Sequence, residues 1–292
     1  MRQPRITVVG SINMDLVTST DIFPQQGETV RGEDFHTNPG GKGANQAVAA
    51  ARLGADVHMV GRVGDDTFGE NLLHNLQQEN IDTSMVDQVA NTSSGLANIT
   101  LSEKDNRIII IPGANNQVTP EYVKACEETI LASDYVLLQF EIPKETIEYC
   151  IDVCAQHDIP VVVNPAPVMP LSPDQWEKAS VITPNETEAA ELFKGRYDEI
   201  QEKLVITKGK EGVEFFDHGT QKNVSPYKVE VADTTGAGDT FNGALAVALA
   251  EGQTLTAAVQ FANAAGALSV QKLGAQGGMP TRQAVDQMLE ER

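Results

Sequence analysis

The chain has 292 residues, of which 41% are hydrophobic and 21% are charged, and its formal net charge is −20 at pH 7. This length predicts one large α/β domain over residues 1–292 with at most a small appendage, and the negative charge argues against a nucleic-acid partner held on a basic face. The first apolar run, residues 6–9, is far too short for a signal peptide or a membrane span, so we expect a cytoplasmic protein without a membrane partner.

Short β-branched runs alternate along the chain with helical patterns. Strands are predicted over residues 6–10, 57–63, 135–140, 160–163, 181–183 and 204–207. Helices are predicted over residues 42–53, 68–79, 144–157, 186–193, 240–250, 256–271 and 282–289. Because the strands are continuously apolar rather than alternating, we expect a mostly parallel central sheet that helices cover on both faces.

Two regions interrupt this alternation. Residues 16–38 are polar without helical periodicity, and residues 95–101 with 107–111 predict a hairpin around 102–106. Together the segments 16–38 and 95–111 predict a small β-sheet appended to the main domain. Such a sheet is suited to act as a lid over a site at the strand ends, or as a dimer surface if its apolar face must be covered.

The stretch 234–239, Thr-Thr-Gly-Ala-Gly-Asp, places two glycines and an alanine directly before Asp239 and a predicted helix. Small residues let a backbone approach a ligand closely, and a helix start offers N–H groups and partial positive charge to an anion. A carboxylate at the same point is placed to take a proton beside a bound phosphate, which indicates phosphoryl transfer to a hydroxyl. Taken alone, the motif also fits a simple turn with a helix cap.

The first strand runs into residues 10–15, Gly-Ser-Ile-Asn-Met-Asp. Ligands of open α/β sheets bind beyond the carboxyl ends of the strands. Asn13 and Asp15 are two residues apart, so an extended backbone directs both side chains the same way. An amide and a carboxylate on one side are suited to grip adjacent hydroxyls of a sugar, whereas the alternative is a turn that Asn and Asp stabilise.

A second glycine-rich block, residues 39–46, reads Pro-Gly-Gly-Lys-Gly-Ala-Asn-Gln. It lacks the spacing of a nucleotide P-loop, and Gly43 follows Lys42 where that loop has a hydroxyl ligand for Mg²⁺. Lys42 and Asn45 at a glycine-lined helix start instead offer hydrogen bonds to a neutral polyol. The alternative is a helix entry without a ligand.

Two further blocks end strands. Residues 163–167, Val-Asn-Pro-Ala-Pro, predict a rigid loop at the sheet edge, and Glu141 follows the strand 135–140. Glu141 is placed to accept a hydrogen bond from a hydroxyl, although as a lone exposed acid it would have no such meaning.

Asn185 and Glu188 in block 183–188, Thr-Pro-Asn-Glu-Thr-Glu, are three residues apart and therefore neighbours on a helix face. An amide and a carboxylate there are placed to position hydrated Mg²⁺ beside a triphosphate. The alternative is a helix cap with an acidic first turn.

Block 207–212, Thr-Lys-Gly-Lys-Glu-Gly, follows the last predicted strand. Thr207, Gly209 and Gly212 are suited to contact with a nucleotide, because glycines let the backbone come close to a ligand. The alternative is a tight hairpin turn.

These blocks, in this order and with the stretch 234–239 as the sixth, resemble the ribokinase-like carbohydrate kinases, also called the PfkB family. The resemblance runs from residue 6 to about residue 280, which is nearly the whole chain. It implies a three-layer α/β/α fold with a mostly parallel central sheet and a small β-sheet lid. It also implies ATP-dependent phosphorylation of D-ribose at O5, which yields ribose 5-phosphate and ADP. It further implies a homodimer that forms through the lid.

The resemblance assigns roles to individual residues of this chain. Sugar binding is implied for Asn13, Asp15, Gly40, Gly41, Lys42, Asn45, Glu141 and Asp239. Asp239 is implied as the general base for the 5-hydroxyl, and Gly236, Ala237 and Gly238 as the anion hole for the transferring phosphoryl group. Contacts with ATP are implied for Asn185, Thr207, Gly209, Gly212, Gly238 and Asn263, and water-mediated contacts with Mg²⁺ for Asn185 and Glu188.

Members of the family also resemble one another in a monovalent cation site, usually for K⁺. The ligands implied here, largely through backbone carbonyls, are Asp233, Thr235, Ser269, Lys272, Gly274 and Gly278. The last of these positions commonly carries a serine hydroxyl in the family, so Gly278 is a departure from the pattern.

Other functions fit the same blocks. The nearest is the same chemistry on another acceptor, such as deoxyribose, fructose or a nucleoside (adenosine), although the pair Asn13 and Asp15 favours a small sugar with free vicinal hydroxyls. A function of another class is a non-catalytic sugar or nucleotide sensor on this fold. Such a sensor would be expected to lose the base or the glycines, and this chain retains both.

Overall fold

The computed structural model describes residues 2–102 and 105–291. Its strands are β1 (Arg5–Val9), β2 (Asn13–Thr20), β3 (Gly32–Gly40), β4 (Asp56–Gly64), β5 (Asp82–Val89), β6 (Gly95–Ser102), β7 (Asp105–Ile111), β8 (Tyr135–Gln139), β9 (Val161–Asn164), β10 (Val181–Ile182), β11 (Val205–Thr207), β12 (Val213–Asp217) and β13 (Thr220–Val224). Its α-helices are α1 (Lys42–Arg52), α2 (Thr67–Gln78), α3 (Pro120–Ala125), α4 (Glu127–Leu131), α5 (Lys144–Gln156), α6 (Pro173–Lys178), α7 (Glu186–Leu192), α8 (Tyr197–Ile200), α9 (Ala237–Ala250), α10 (Leu255–Ser269) and α11 (Arg282–Glu290). Short 3₁₀ helices cover Gly113–Gln117, Gln201–Lys203 and Gly209–Glu211.

The central sheet has six strands in the order β10-β9-β8-β1-β4-β5, and every neighbouring pair is parallel. Its inner strands are buried on both faces, as their continuous Val, Ile and Leu runs predict. Along β8, for example, Leu137 packs into one apolar core while Val136 and Leu138 pack into the other. The predicted mostly parallel sheet with helices on both faces is confirmed.

Helices form the outer layers. The alanine-rich helices α1, α9 and α10 pack with α2 and α11 on one face, and α3 to α7 pack on the other. Helices α1 and α9 approach closely at Gly243, where a Cβ atom would lie 2.7 Å from the Cβ atom of Ala49. This packing sets the start of α9 against the first turns of α1.

The segments that interrupt the α/β alternation form a separate four-stranded sheet in the order β3-β2-β6-β7, and we call it the lid sheet. β2 pairs antiparallel with β3 and parallel with β6, and β6 pairs antiparallel with β7. The register pairs Asn13 with both Gly40 and Gly95, so one end of the lid sheet lies at the first two sequence blocks. Residues 103 and 104 of the predicted hairpin turn lie outside the described residues.

Some strands differ from the sequence prediction. β11 pairs antiparallel with β12 in a three-stranded sheet that β13 completes, and isolated parallel bridges connect its end of the chain to the region of β10. The prediction missed β5, β12 and β13, because these peripheral strands mix polar residues into their sequences and lack a continuous apolar run. Within the described residues, no helix combines the length and the hydropathy needed to cross a membrane.

Candidate active site

The polar sequence blocks meet at the carboxyl ends of the central parallel strands. Ser11, just after β1, donates its hydroxyl to Oε2 of Glu141 at 2.6 Å, and the backbone N–H of Lys42 donates to the same oxygen at 3.2 Å. The backbone N–H of Ala44 donates to the Ser11 carbonyl. The end of β1, the segment after β8 and the start of α1 are thereby tied together, as expected for a ligand site in an open α/β sheet.

Asp239 is buried in the first turn of α9, where its carboxylate contacts the side chain of Asn45. Asn45 Nδ2 donates to Asp239 Oδ2 at 3.0 Å, and Gln46 Nε2 donates to Asp239 Oδ1 at 3.1 Å. Burial raises the pKa of Asp239, whereas the positive charge of Lys42 and the two amide donors oppose that rise. The carboxylate is thus held in a fixed orientation by groups that favour its ionised form.

Lys42 is the positive centre of the site. Burial lowers its pKa, but Asp239, Glu141, Glu188 and Asp15 together outweigh burial, so the pKa of Lys42 is raised and the side chain stays charged at neutral pH. Burial, followed by the charges of Glu141 and Asp239, raises the pKa of Asp15 to about 7. A cluster with more carboxylates than cations repels anions and offers acceptors to hydroxyl groups, which suits a neutral polyol.

Glycines 40 and 41 lie too close to their neighbours for a side chain at either position. A Cβ atom at Gly40 would lie 2.5 Å from Asp15 Oδ2. Gly41 has φ +90°, and a Cβ atom there would lie 2.7 Å from the backbone nitrogen of Asn13. The block 39–46 therefore lets the start of α1 pack directly against the residues predicted to grip the sugar.

Asn13 is held by a residue that the sequence did not indicate. Asn115 Nδ2 donates to Asn13 Oδ1 at 2.6 Å, and Asn115 Oδ1 accepts from the backbone N–H of Ile12 at 2.9 Å. Asn115 is 1% exposed and lies in the 3₁₀ helix Gly113–Gln117, about a hundred positions along the chain from its partners. No local pattern in the sequence could have assigned it to the site.

The stretch predicted as an anion hole opens α9. Gly236 is left-handed at φ +78° and occupies the N-cap position, where a Cβ atom would lie 2.8 Å from the Cα atom of Ala275. Ala237 and Gly238 begin the helix, and a Cβ atom at Gly238 would meet open space. The Ala237 N–H donates to the Thr234 carbonyl at 3.2 Å, and among the described side chains none caps this helix start, so the positive end of the helix dipole lies beside Asp239.

The blocks predicted to contact a nucleotide lie together near Lys42. Asn185 forms a parallel bridge with Thr207, and Glu188 interacts electrostatically with Lys42. Asn185 Oδ1 accepts from the Glu188 N–H at 2.9 Å while Glu188 Oε2 accepts from the Asn185 N–H at 2.8 Å, which is a capping box. The interpretation of this block as a helix cap is therefore confirmed.

The remaining predicted nucleotide residues have clear structural roles. Gly209 and Gly212 have positive φ in the turn between β11 and β12, where the Lys208 N–H donates to the Gly212 carbonyl at 2.8 Å, so the predicted hairpin turn is present. Asn263, on α10, donates from Nδ2 to the Ser225 carbonyl at 2.9 Å. These contacts leave any role in nucleotide binding as a prediction.

The residues predicted for a monovalent cation form one cluster behind the start of α9. Asp233 Oδ1 accepts from the N–H and hydroxyl of Thr235, and its Oδ2 accepts from the Gly274 N–H at 2.9 Å. A Cβ atom at Gly278 would lie 1.9 Å from the Ser269 carbonyl oxygen, so a serine does not fit this backbone. Lys272 is exposed in the same loop. Since the Asp233 carboxylate is occupied by donors, these residues fit a cation held by main-chain carbonyls.

The site contains carboxylates, but the described residues form no dedicated cluster of metal ligands. Within residues 2–102 and 105–291, no group of three or more His, Cys, Asp or Glu residues is arranged to hold a metal ion. Contact with Mg²⁺ through water, as predicted for Asn185 and Glu188, is compatible with this arrangement.

Known proteins resemble this chain over nearly its whole length. Residues 3–282 match the family described as pfkB family carbohydrate kinase. The chain belongs to the pfkB family of carbohydrate kinases. The chain is 50% identical to a ribokinase of Bacillus subtilis (strain 168) over 97% of this chain and 99% of the relative. It is 35% identical to a deoxyribokinase of Salmonella typhimurium over 97% of this chain and 98% of that relative.

A solved structure supports the same pfkB family membership. The structure of Arabidopsis thaliana ribokinase complexed with ribose and ATP matches with a TM-score of 0.91 and 31% identity, over 99% of each chain. Agreement over nearly the full length of both proteins includes the lid sheet and the C-terminal helices as well as the central sheet.

Proposed function

We propose that this pfkB family member catalyses the ATP-dependent phosphorylation of D-ribose at O5, with ribose 5-phosphate and ADP as products. The observation that carries the proposal is the position of Asp239: a buried carboxylate in the first turn of α9, directly after the glycines 236 and 238. The 50% identity to a ribokinase over nearly the whole chain supports ribose as the acceptor.

The sugar is held beneath the lid sheet by the polar cluster around Lys42. Asp15 accepts a hydrogen bond from one sugar hydroxyl, and the amide of Asn13 donates to the adjacent hydroxyl. Glu141 accepts from a further hydroxyl. Gly40, Gly41, Lys42 and Asn45 line the same site. A neutral sugar is compatible with this cluster because it brings no charge to a site where carboxylates outnumber cations.

Asp239 accepts the proton of the 5-hydroxyl as that oxygen attacks the γ-phosphorus of ATP. The new bond joins O5 to phosphorus, the bond between phosphorus and the β,γ-bridging oxygen breaks, and ADP leaves with that electron pair. The positive end of α9, which Gly236, Ala237 and Gly238 open, stabilises the charge that develops on the transferring phosphoryl group. Most of the acceleration in such a site comes from positioning and charge stabilisation.

ATP is proposed to lie across the C-terminal half of the chain, near Asn185, Thr207, Gly209, Gly212 and Asn263. Asn185 and Glu188 would hold Mg²⁺ through water, and the ion would neutralise charge on the triphosphate. K⁺ would be held largely through backbone carbonyls and would order the loop behind the anion hole. Its ligands would come from Asp233, Thr235, Ser269, Lys272, Gly274 and Gly278. The enzyme is proposed to act in the cytoplasm, with no nucleic-acid or membrane partner.

A coupled assay of ADP formation tests the proposal directly. With ATP and Mg²⁺, we expect kcat/KM for D-ribose to exceed that for 2-deoxy-D-ribose by at least about tenfold, because loss of one hydroxyl leaves a charged acceptor unpaired at a cost of about 1.5–3 kcal/mol. D-fructose and adenosine should be poorer acceptors still. Chelation of Mg²⁺ should abolish turnover, and addition of K⁺ should increase the rate.

The same assay separates the other functions. Higher kcat/KM for 2-deoxy-D-ribose would identify the chain as a deoxyribose kinase, which the 35% identity to a deoxyribokinase makes the second candidate. No ADP formation with any acceptor, combined with measurable sugar binding, would indicate a sensor rather than an enzyme.

The lid sheet is proposed to form a homodimer interface. Ile108 to Ile111 on the edge strand β7 are between 44% and 64% exposed, and Phe35 on the opposite edge is 60% exposed. Exposed apolar residues on an unpaired edge strand mark a surface that a partner covers. A second copy of this chain would cover the same surface on both subunits by two-fold symmetry.

Light scattering after gel filtration tests this interface. We expect the mass of two chains for the unmodified protein and the mass of one chain for Ile109→Asp, because a carboxylate at the covered surface is left without a partner. The control is Val231→Asp, which replaces a 58% exposed residue outside the lid sheet and should leave the dimer intact. A monomeric unmodified protein would refute the interface.

A further inference from the structure

Gln46 is a buried residue of α1 that the proposed reaction does not use directly, and it contacts the carboxylate of Asp239. We propose that Gln46 is a positioning residue that holds Asp239 in the orientation in which it accepts the proton of the attacking hydroxyl. The inference rests on the proposed role of Asp239 as general base. Gln46 itself need not touch either substrate.

The contacts of Gln46 use both hydrogens and the oxygen of its amide. Nε2 donates to Asp239 Oδ1 at 3.1 Å and to Asn164 Oδ1 at 3.1 Å, while Oε1 accepts from Gln139 Nε2 at 2.8 Å. Gln46 and Gln139 are each 0% exposed, so water does not compete for these hydrogen bonds. A fully engaged buried amide has a single orientation.

The chain of partners determines which way the amide of Gln46 points. The Thr183 carbonyl can only accept, and Asn164 Nδ2 donates to it at 3.1 Å, so Asn164 Oδ1 must face Gln46. The NH₂ group of Gln46 must therefore face Asn164, and the same group reaches Asp239. A rotated Gln46 amide would place its oxygen against both the Asn164 oxygen and the carboxylate, which is repulsive.

Gln139 completes the arrangement. Its Oε1 is buried and has no hydrogen-bond partner among the described residues. Gly10 provides the space for it, since a Cβ atom at that position would lie 2.0 Å from Oε1. The Gln139 amide is therefore oriented with its NH₂ group toward Gln46 Oε1, which fixes the Gln46 amide from its oxygen side.

Other charged groups act on Asp239 without setting its orientation. Lys42 on α1 favours its ionised form, whereas Glu141 after β8 and Asp15 on β2 disfavour it. Asn45 holds the second oxygen, Oδ2, and in turn accepts from Gln276 Nε2 at 3.0 Å. With Asn45 and Gln46 on separate oxygens, the carboxyl plane is fixed at both ends, and removal of either donor frees it to rotate.

Gln46→Met tests the role, because methionine has a similar length and no donor. We expect kcat to fall by about tenfold to a hundredfold while KM for sugar and ATP changes by less than about threefold. Since the lost donor favours the ionised carboxylate, the acid limb of the pH profile of kcat should move to higher pH. A purely structural role would lower thermal stability and leave the position of the acid limb unchanged.

Gln175→Met is the matched control. Gln175 on α6 is 8% exposed and donates from Nε2 to Asp152 at 2.9 Å, on the opposite face of the central sheet from α9. We expect this variant to lose stability without a change in kcat or in the pH profile. An unchanged kcat and pH profile in folded Gln46→Met would overturn the positioning role.

Two further variants keep the outcome interpretable. If Gln46→Met does not fold, Gln139→Met replaces it as the test, because it removes the donor to the Gln46 oxygen. This variant should shift kcat and the acid limb of the pH profile in the same direction. An unshifted pH profile in Gln139→Met would refute the positioning role. Asp239→Asn separates the two proposals: if that variant is inactive while Gln46→Met is normal, only the positioning role fails. If Asp239→Asn remains active, the general base assignment fails first.

Discussion

Replacing Asp239 with asparagine is expected to lower kcat by about a thousandfold, within the 10²–10⁴ that a positioned general base contributes. The amide cannot accept the proton of the 5-hydroxyl, yet it has the size and shape of the carboxylate. Sugar affinity should therefore change little, because Asn13, Asp15 and Glu141 are untouched. Steady-state kinetics give kcat, and calorimetric titration of D-ribose gives the affinity independently of turnover.

The control for this variant is Asp66→Asn. Asp66 is also a carboxylate at a helix start, where it accepts from the Gly69 N–H at 2.8 Å, but it lies at the N-terminus of α2. An asparagine there keeps the cap and should leave kcat unchanged. A rate for Asp239→Asn within about tenfold of the unmodified enzyme would remove Asp239 from the role of base, since such a loss is below the range for general base catalysis.

Replacing Asp15 with alanine is expected to raise KM for D-ribose by about a hundredfold and to change KM for ATP by less than about threefold. Each hydrogen bond from a sugar hydroxyl to a charged acceptor contributes about 1.5–3 kcal/mol, and 1.4 kcal/mol corresponds to a factor of ten in affinity. Separate titrations with ribose and with ATP check the asymmetry. Equal losses for both ligands would contradict the assignment of Asp15 to the sugar.

The pKa of Asp15 adds a second measurement on the same residue. Because burial and the neighbouring carboxylates raise it to about 7, Asp15 becomes protonated as the pH falls through neutrality, and ribose affinity should fall with it. The same shift acts on stability with the opposite sign. A carboxyl whose folded pKa is raised stabilises the folded chain at low pH and loses that contribution as the pH rises through about 7.

Asp15→Asn isolates this effect. The neutral amide cannot ionise, so the ligand-free variant should melt at a higher temperature than the unmodified chain at about pH 8, and the difference should shrink at about pH 6. Ribose affinity of the variant should lose its dependence on pH over the same interval. A constant difference in melting temperature between the two pH values would show that Asp15 does not titrate there.

Much of the fold followed from local patterns. The continuous apolar runs of β1, β8 and β9 predicted buried parallel strands, and the alanine-rich periodicity of residues 42–53 predicted α1, because these patterns reflect burial of each element by itself. β12 and β13 were missed for the converse reason. A peripheral hairpin is stabilised by its partner strand and its turn, and its polar residues leave a weak local signal.

The candidate residues of the site also followed from short blocks, since Asp239, Asp15 and Lys42 stand beside glycines or at strand ends in the sequence. Their mutual arrangement did not. Gly243 lets α9 approach α1, and this approach is what places Asn45 and Gln46 against Asp239, nearly two hundred positions away. Nothing within either block specifies that distance.

The sequence by itself determined which residues are candidates for the chemistry, because helix starts, strand ends and glycine-rich turns are local properties of the chain. Only the tertiary structure decided how those residues are held: Asn115 on Asn13, Gln46 on Asp239, and the charges around Lys42. The physical reason is that hydrogen-bond direction and pKa depend on which groups are neighbours in space, and burial brings together side chains whose separation along the chain gives no indication of their contact.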